Sequence, residues 1–289
     1  MSDMKLIMEN WRNFGTLNEE ADPAKMSPER FPLKLSDVSP KASRITSRAG
    51  TKDQASDDDV IPVVRASFTA AELKPSQSSM DIDKAVNFAI QMSHPSGKLK
   101  AGGNLDAFIS KDNFIMDGHH RWIGTAMANP AAKLNGFRVG FPGEQLVAVL
   151  NNMTKGKFGE MVGKPATGGF EQFNEQGILK VLQGAAQNGS WDNLTAADVL
   201  QALQTVSGVQ GDVAQVVPAA AKKMASNLSG LTLSEPSWAP ARPDMPIIDK
   251  GNVPDAVKAL KQGEVDVNPP YAKTGRKYLD KPSEEGGQW

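Results

Sequence analysis

An apolar strand, one glycine and the start of a helix meet between residues 114 and 128, and this junction constrains the fold more than any other feature. Phe114-Ile115-Met116 is followed by Asp117-Gly118-His119-His120-Arg121, and a helical pattern then continues until Asn129-Pro130 ends it. A glycine lets the backbone approach a ligand closely, and the first N–H groups of a helix have no acceptor within the helix. The junction therefore favours a bound anion.

The side chains at this junction are suited to phosphate chemistry. Arg121 offers a planar fork of donors that matches phosphate oxygens. His119 and His120 can donate hydrogen bonds or transfer protons near neutral pH, and Asp117 can orient a histidine or accept a proton from a hydroxyl or a metal-bound water. We predict Asp117, His119 and His120 as catalytic residues and Gly118, His119, His120 and Arg121 as phosphate-binding residues. The alternative is that these side chains only cap the helix and bond to backbone.

The region from 60 to 165 is predicted to form a compact mixed α/β domain, because short β-rich runs alternate with segments of helical period. Turn residues at 111–113 separate two short apolar runs, which predicts a hairpin. The predicted elements are a strand at 61–68, a helix at 82–92, hairpin strands at 107–110 and 114–116, a strand at 138–141 and a helix at 143–151.

The flanking segments differ from this domain in composition. We predict an amphipathic leader helix at 1–14 and a flexible linker at 15–59, because the linker is rich in Ser, Pro and charged residues. Residues 170–231 are predicted to form a small helical module, with helices at 175–186, 196–206 and 211–228. Recurring prolines predict an extended C-terminal arm at 232–289, with one helix at 254–261. The predicted fold class is therefore α+β.

Composition excludes several functional classes. The chain has no cysteine, which excludes disulfides, thiolate nucleophiles and sulfur-ligated zinc. The net charge of −1 provides no global positive field for nucleic acid. Between residues 94 and 164, however, nine Lys and Arg residues outnumber five Asp and Glu residues, which suits a local anionic ligand. We find no apolar run of membrane-spanning length and no secretory signal, so we expect a cytoplasmic protein that makes no membrane contact.

The motif Asp117-Gly118-His119-His120-Arg121 after an apolar strand resembles the signature of the ParB/sulfiredoxin superfamily, in the branch often labelled ParB-like nuclease. The upstream segment Leu73-Lys74-Pro75-Ser76-Gln77 is similar to the one that precedes the signature in that branch. The resemblance covers residues 60–158, about a third of the chain. It implies a small mixed α/β fold with a polyphosphate pocket, and it adds Gln77 to the phosphate-binding residues.

The resemblance also implies a range of reactions. Members bind and hydrolyse CTP, use ATP, phosphorylate serine or are reported as nucleases. Because the sulfiredoxin activity needs a cysteine, this chain cannot perform it. We expect a nucleotide-dependent phosphotransferase or a phosphodiesterase. Its cofactors would be a nucleotide (ATP, ADP or CTP) and a divalent metal such as Mg²⁺, and its partner a nucleotide or nucleic-acid phosphate.

A second hypothesis is a non-catalytic adaptor. Ile7-Met8-Glu9, within the leader, resembles the head-targeting peptides of large tailed phages, which a maturation protease cuts after glutamate. This resemblance implies a phage protein in the host cytoplasm or the virion, with the capsid as partner. The N-terminal helix and the C-terminal arm would then serve capsid binding or self-association, and the ParB-like fold would serve as a binding module.

Overall fold

The computed structural model describes residues 21–26, 30–49, 59–159, 162–188 and 190–267. Within these ranges the chain forms a mixed five-stranded β-sheet, a small two-stranded sheet and a set of helices. The prediction of a mixed α and β fold is therefore confirmed. None of the helices in the described ranges is both long enough and apolar enough to span a bilayer.

The large sheet combines parallel and antiparallel pairs. In the spatial order β1-β5-β3-β4-β2, the β1–β5 and β3–β4 pairs are antiparallel, whereas the β5–β3 and β4–β2 pairs are parallel. The predicted hairpin is confirmed, because Ile109 lies opposite Ile115. The strand predicted at 138–141 begins earlier than expected. The strands are β1 Val63–Phe68, β2 Lys74–Pro75, β3 Gly103–Ile109, β4 Phe114–Ile115 and β5 Leu134–Val139.

Every helix that the apolar period predicted within the described ranges is present. The observed bounds extend the predictions by one to three residues at some ends, where capping geometry rather than periodicity decides the boundary. A two-stranded hairpin, β6 Ser190–Trp191 and β7 Leu194–Thr195, joins two of the helices. The helices are α1 Pro40–Ala49, α2 Ile82–Ser93, α3 His119–Ala128, α4 Gly143–Met153, α5 Glu175–Asn188, α6 Ala196–Ser207, α7 Val213–Leu228 and α8 Val253–Lys261.

The two faces of the large sheet bury separate hydrophobic cores. On β3, Leu105, Ala107 and Ile109 face one core, and Phe108 faces the other, as the alternation of a strand requires. The first core contains residues of α2, α3, α5, α6 and α7. The second contains residues of α4 and α8. The sheet is therefore the middle layer between two apolar layers.

The sequence predicted a separate helical module at 170–231, but these helices share a core with the central domain. Ile178, Val199 and Val216 belong to the same buried cluster as Ile82 and Trp122 of the central domain. The apolar faces of α5, α6 and α7 therefore complete the core beneath α2 and α3.

The prediction of a flexible linker at 15–59 is wrong for residues 21–26 and 30–49. Phe31, Leu35 and Val38 are almost fully buried, and α1 packs beside α4. Three well-spaced apolar residues anchor this polar segment, and the buried Thr46 Oγ1 donates to Asn152 Oδ1 of α4 at 2.6 Å. The rest of the predicted linker and the leader at 1–14 lie outside the described residues.

The C-terminal arm is packed rather than simply extended. Met245, Ile248 and Val267 are buried in the second core, and the predicted helix at 254–261 is confirmed as α8. The prolines of this arm do not prevent it from packing on the domain, because its apolar residues cover the sheet. Residues 268–289 lie outside the described ranges.

Candidate anion-binding site

Helix α3 begins at a glycine that adopts a left-handed conformation. Gly118 has φ +84° and ψ 16°, which L side chains adopt only at a cost. Its N–H donates to Asp117 Oδ1 at 2.6 Å, and its carbonyl accepts the first helical hydrogen bond from the Trp122 N–H at 2.9 Å. The backbone N–H groups of residues 119–121 therefore precede the first intrahelical donor and lie at the positive end of the helix dipole.

Two contacts fix α3 against its neighbours. The buried Trp122 indole N–H donates to the Ala70 carbonyl at 2.8 Å. Gly124 allows α2 to approach closely, because a Cβ at this position would lie 2.8 Å from the Phe88 Cβ. The strand-to-helix junction is thus held by packing on both sides, which fixes the side chains at 117–121.

Both histidines of the motif are buried with backbone partners. His119 Nε2 accepts a hydrogen bond from the Ser76 N–H at 3.2 Å, and His120 Nε2 accepts one from the Asp81 N–H at 3.4 Å. Burial, together with nearby positive charge that includes Arg242, lowers the pKa of each imidazole to about 3. Both rings are therefore neutral near pH 7. Because Nε2 is the acceptor, the ring proton lies on Nδ1.

All six predicted site residues line one cavity of about 130 Å³. The capping alternative is thus partly correct, since the imidazoles bond to backbone, but the same residues also form the cavity wall. Their catalytic and binding roles remain predictions. The lining residues are Gln77, Lys84, Phe88, Met116, Asp117, Gly118, His119, His120, Arg121, Arg242, Met245, Pro246 and Ile247.

Three basic side chains from separate parts of the chain converge on this cavity. Lys84 comes from α2, Arg121 from α3, and Arg242 from a short 3-10 turn at 242–244 of the C-terminal arm. Within the described residues, no salt bridge pairs any of them with a carboxylate. Arg121 Nη2 donates to the Gly102 carbonyl at 3.3 Å, while its buried Nε has no described partner. The cavity therefore carries an excess of positive charge.

The electrostatics of the remaining groups agree with this concentration of charge. Burial and then the charge of Arg242 lower the pKa of the partly exposed Lys84 amine. The pKa of Asp117 is raised because the cavity walls displace water around its carboxyl, although the Gly118 N–H, Lys84 and Arg242 oppose that shift. Asp117 also keeps an exposed surface, so bulk water moderates the effect. Asp117 is the carboxylate among the cavity-lining residues.

Sequence reasoning missed Lys84 and Arg242. Lys84 lies in the first turn of a correctly predicted helix, three residues after Asp81. The helical pattern at 82–92 predicted the helix but gave only a weak indication that Lys84 lies near the motif. Arg242 had no local signal, because it reaches the cavity only through the packing of the C-terminal arm.

The lining residues do not fit a resident divalent cation. Mg²⁺ prefers carboxylate oxygens, whereas here the carboxylate of Asp117 faces three basic side chains. Among the described residues, no group of three or more His, Asp or Glu side chains could hold a metal ion.

Searches of family models, curated proteins and solved structures give no match to this chain. The likeness to ParB and sulfiredoxin thus depends on the motif and on its strand-to-helix context.

Proposed function

We propose that this protein binds a phosphate-bearing ligand, a nucleotide or a nucleic-acid phosphate, through the cavity at Gly118 to Arg121. The observation that carries the proposal is the convergence of Lys84, Arg121 and Arg242, without carboxylate partners among the described residues, on the first turn of α3. Phosphate oxygens would accept hydrogen bonds from these cations and from the backbone N–H groups of the helix start.

The size of the cavity supports binding of the phosphate end of a ligand. Pockets that enclose a drug-sized molecule have volumes of roughly 300–1,000 Å³, whereas this cavity has about 130 Å³. In a complex with ATP, ADP or CTP, we propose that the phosphates enter the cavity and that the sugar and base lie against its rim. Gln77, which is almost fully buried and lines the cavity, would contact the ligand through its amide.

The catalytic part of the proposal is a nucleotide-dependent phosphotransfer or phosphodiester cleavage on a ParB/sulfiredoxin-like fold. Asp117 would accept the proton of the attacking hydroxyl group, since its carboxyl lines the cavity and its raised pKa lies closer to neutral pH. His119 and His120 would orient the ligand as neutral donors through Nδ1. The proposal of this fold is based on the motif, whose glycine joins β4 to the start of α3.

Isothermal titration of the full chain with ATP, ADP and CTP tests the proposal. At least one nucleotide should bind, and Lys84→Ala and Arg242→Ala should each weaken binding by roughly tenfold or more, because a charge-assisted hydrogen bond is lost. Lys222→Ala, an exposed lysine on α7 outside the cavity, is the matched control and should bind as the wild type does. Failure of all three nucleotides to bind, or equal effects of cavity and control variants, would refute the site.

A further inference from the structure

The cavity contains a carboxylate, although attraction of an anion alone requires none. Lys84, Arg121 and Arg242 supply three positive charges and ionised Asp117 supplies one negative charge, which leaves two positive charges in excess. The two buried imidazoles add none, because both are neutral near pH 7. This excess matches a dianion such as hydrogen phosphate or sulfate, so net charge does not distinguish between these two ligands.

The geometry of Asp117 leaves one of its oxygens available. Oδ1 accepts the Gly118 N–H at 2.6 Å. Among the described residues, no hydrogen bond or salt bridge engages Oδ2, and Asp117 lines both the main cavity and a small adjoining one. An ionised carboxylate can only accept hydrogen bonds. Its free oxygen therefore attracts a ligand O–H and repels an unprotonated ligand oxygen.

We propose that Asp117 makes this cavity selective for a phosphate group that carries a proton, the class of hydrogen phosphate and terminal phosphate monoesters, against sulfate and phosphodiesters. The inference rests on the proposed function, since it assumes that an anion occupies the cavity. In the complex a P–OH donates to Asp117 Oδ2, while the other oxygens accept from Lys84, Arg242 and the first turn of α3. Near neutral pH sulfate has no proton, and a phosphodiester has no P–OH, so each would place a bare oxygen against the carboxylate.

This selectivity narrows the class of substrate. The second pKa of a phosphate monoester is about 6, so a fraction of terminal phosphates carries the required proton near neutral pH. The phosphates of a nucleic-acid backbone never do. The cavity therefore prefers a terminal phosphate. This preference favours phosphotransfer over cleavage of a nucleic-acid backbone.

The selectivity should depend on pH in one direction. The groups that face Asp117 are Lys84 of α2, Arg242 and Lys250 of the C-terminal arm, Asp106 of β3 at the adjoining cavity, and the two imidazoles and the guanidinium of α3. Protonation turns Asp117 into a donor that sulfate can accept from. Sulfate affinity should thus rise as pH falls, whereas phosphate affinity should change less, because hydrogen phosphate brings its own proton.

Titration of the full chain with inorganic phosphate, sulfate and dimethyl phosphate at pH 7.5 tests the inference. Phosphate should bind the wild type at least about tenfold more tightly than sulfate, the cost of one hydrogen bond to a charged group. Asp117→Asn retains the acceptor for the Gly118 N–H and replaces the free oxygen with a donor, so sulfate should then bind at least as tightly as phosphate. Asp192→Asn, at an exposed pair with Lys98, is the matched control and should keep the wild-type preference.

Each result of this experiment has a definite meaning. Comparable binding of phosphate and sulfate to the wild type would overturn the selectivity and leave the anion site standing. An unchanged preference in Asp117→Asn would overturn the role of this carboxylate in the same way. Failure of all three anions to bind the wild type would overturn both this inference and the proposed function.

Discussion

The two motif histidines link the chemistry of the cavity to the stability of the fold. His119 and His120 each accept a backbone N–H through Nε2, and protonation of either ring would convert that acceptor into a donor facing a donor. Burial makes the same change costly, which is why each pKa falls from 6.5 to about 3. The motif thus requires uncharged imidazoles to keep its geometry.

This linkage predicts loss of stability in acid. Below pH 6.5 the unfolded chain takes up protons at these histidines while the folded chain does not, so their contribution is complete above pH 6.5 and is lost between pH 6.5 and about 3. The slope should approach about 1.4 kcal/mol per pH unit for each histidine. Urea denaturation between pH 4 and 7.5 measures it. His119→Gln retains an acceptor for Ser76 without a titrating group, so its slope should be smaller than that of the wild type; equal slopes would contradict the linkage.

Sequence patterns predicted the helices and strands that local interactions determine. The elements α2, α4, α5, α6 and α7 have apolar residues at helical spacing, so their existence followed from periodicity. The early start of β5 at Leu134 did not follow. Asn135 and Gly136 carry no strand signal. Pairing holds them in the sheet, because Asn135 lies opposite residues of both β1 and β3 and Gly136 lies opposite a residue of β1.

The sequence also predicted only the local part of the candidate site. Asp117 to Arg121 are adjacent in sequence, so one turn of chain places them together. The opposite wall of the cavity could not be predicted, because nothing in the sequence near Arg242 or Met245 indicates that a proline-rich segment packs back on the sheet. Contacts between segments far apart in sequence depend on the whole core, which a local pattern does not encode.

The close approach of α2 and α3 depends on Gly124 and gives a prediction at this scale. In Gly124→Ala the new Cβ would lie 2.8 Å from the Phe88 Cβ and 3.2 Å from the Ala85 carbonyl oxygen, so the helices must separate. The cost should be roughly 1–3 kcal/mol, measured by urea denaturation, and phosphate binding should weaken because α3 carries the motif.

A second glycine provides the control for that measurement. Gly184 lies within α5, and a Cβ there would meet no atom of the described residues within 4 Å. Gly184→Ala should therefore stabilise the protein by about 0.5–1 kcal/mol, as alanine favours a helix over glycine. Destabilisation by both substitutions alike would show that helix contact is not the cause.

Across the whole molecule, the N-terminal and C-terminal segments close the second core together. Arg30 and Asp266, separated by 236 residues, form a buried ion pair with Arg30 Nη2 2.7 Å from Asp266 Oδ2, and the same Nη2 donates to the Asp266 carbonyl at 2.9 Å. Asn152 Nδ2 of α4 donates to the Arg30 carbonyl at 3.1 Å. This cluster anchors the arm that also supplies Arg242 to the cavity.

Loss of the Arg30 side chain should therefore affect stability and ligand binding together. Arg30→Ala leaves Asp266 as a buried charge that has lost its ion-pair partner, which should cost roughly 3–5 kcal/mol. Hydrogen exchange should increase across 245–267, and phosphate affinity should fall because the arm no longer holds Arg242 in place. Lys98→Ala is the matched control: its pair with Asp192, at 2.9 Å, is exposed, so it should change stability by no more than about 1 kcal/mol. If Arg30→Ala destabilises the protein but leaves exchange in the arm and phosphate affinity unchanged, the arm is held by its apolar contacts alone, and the buried pair does not connect the termini to the cavity.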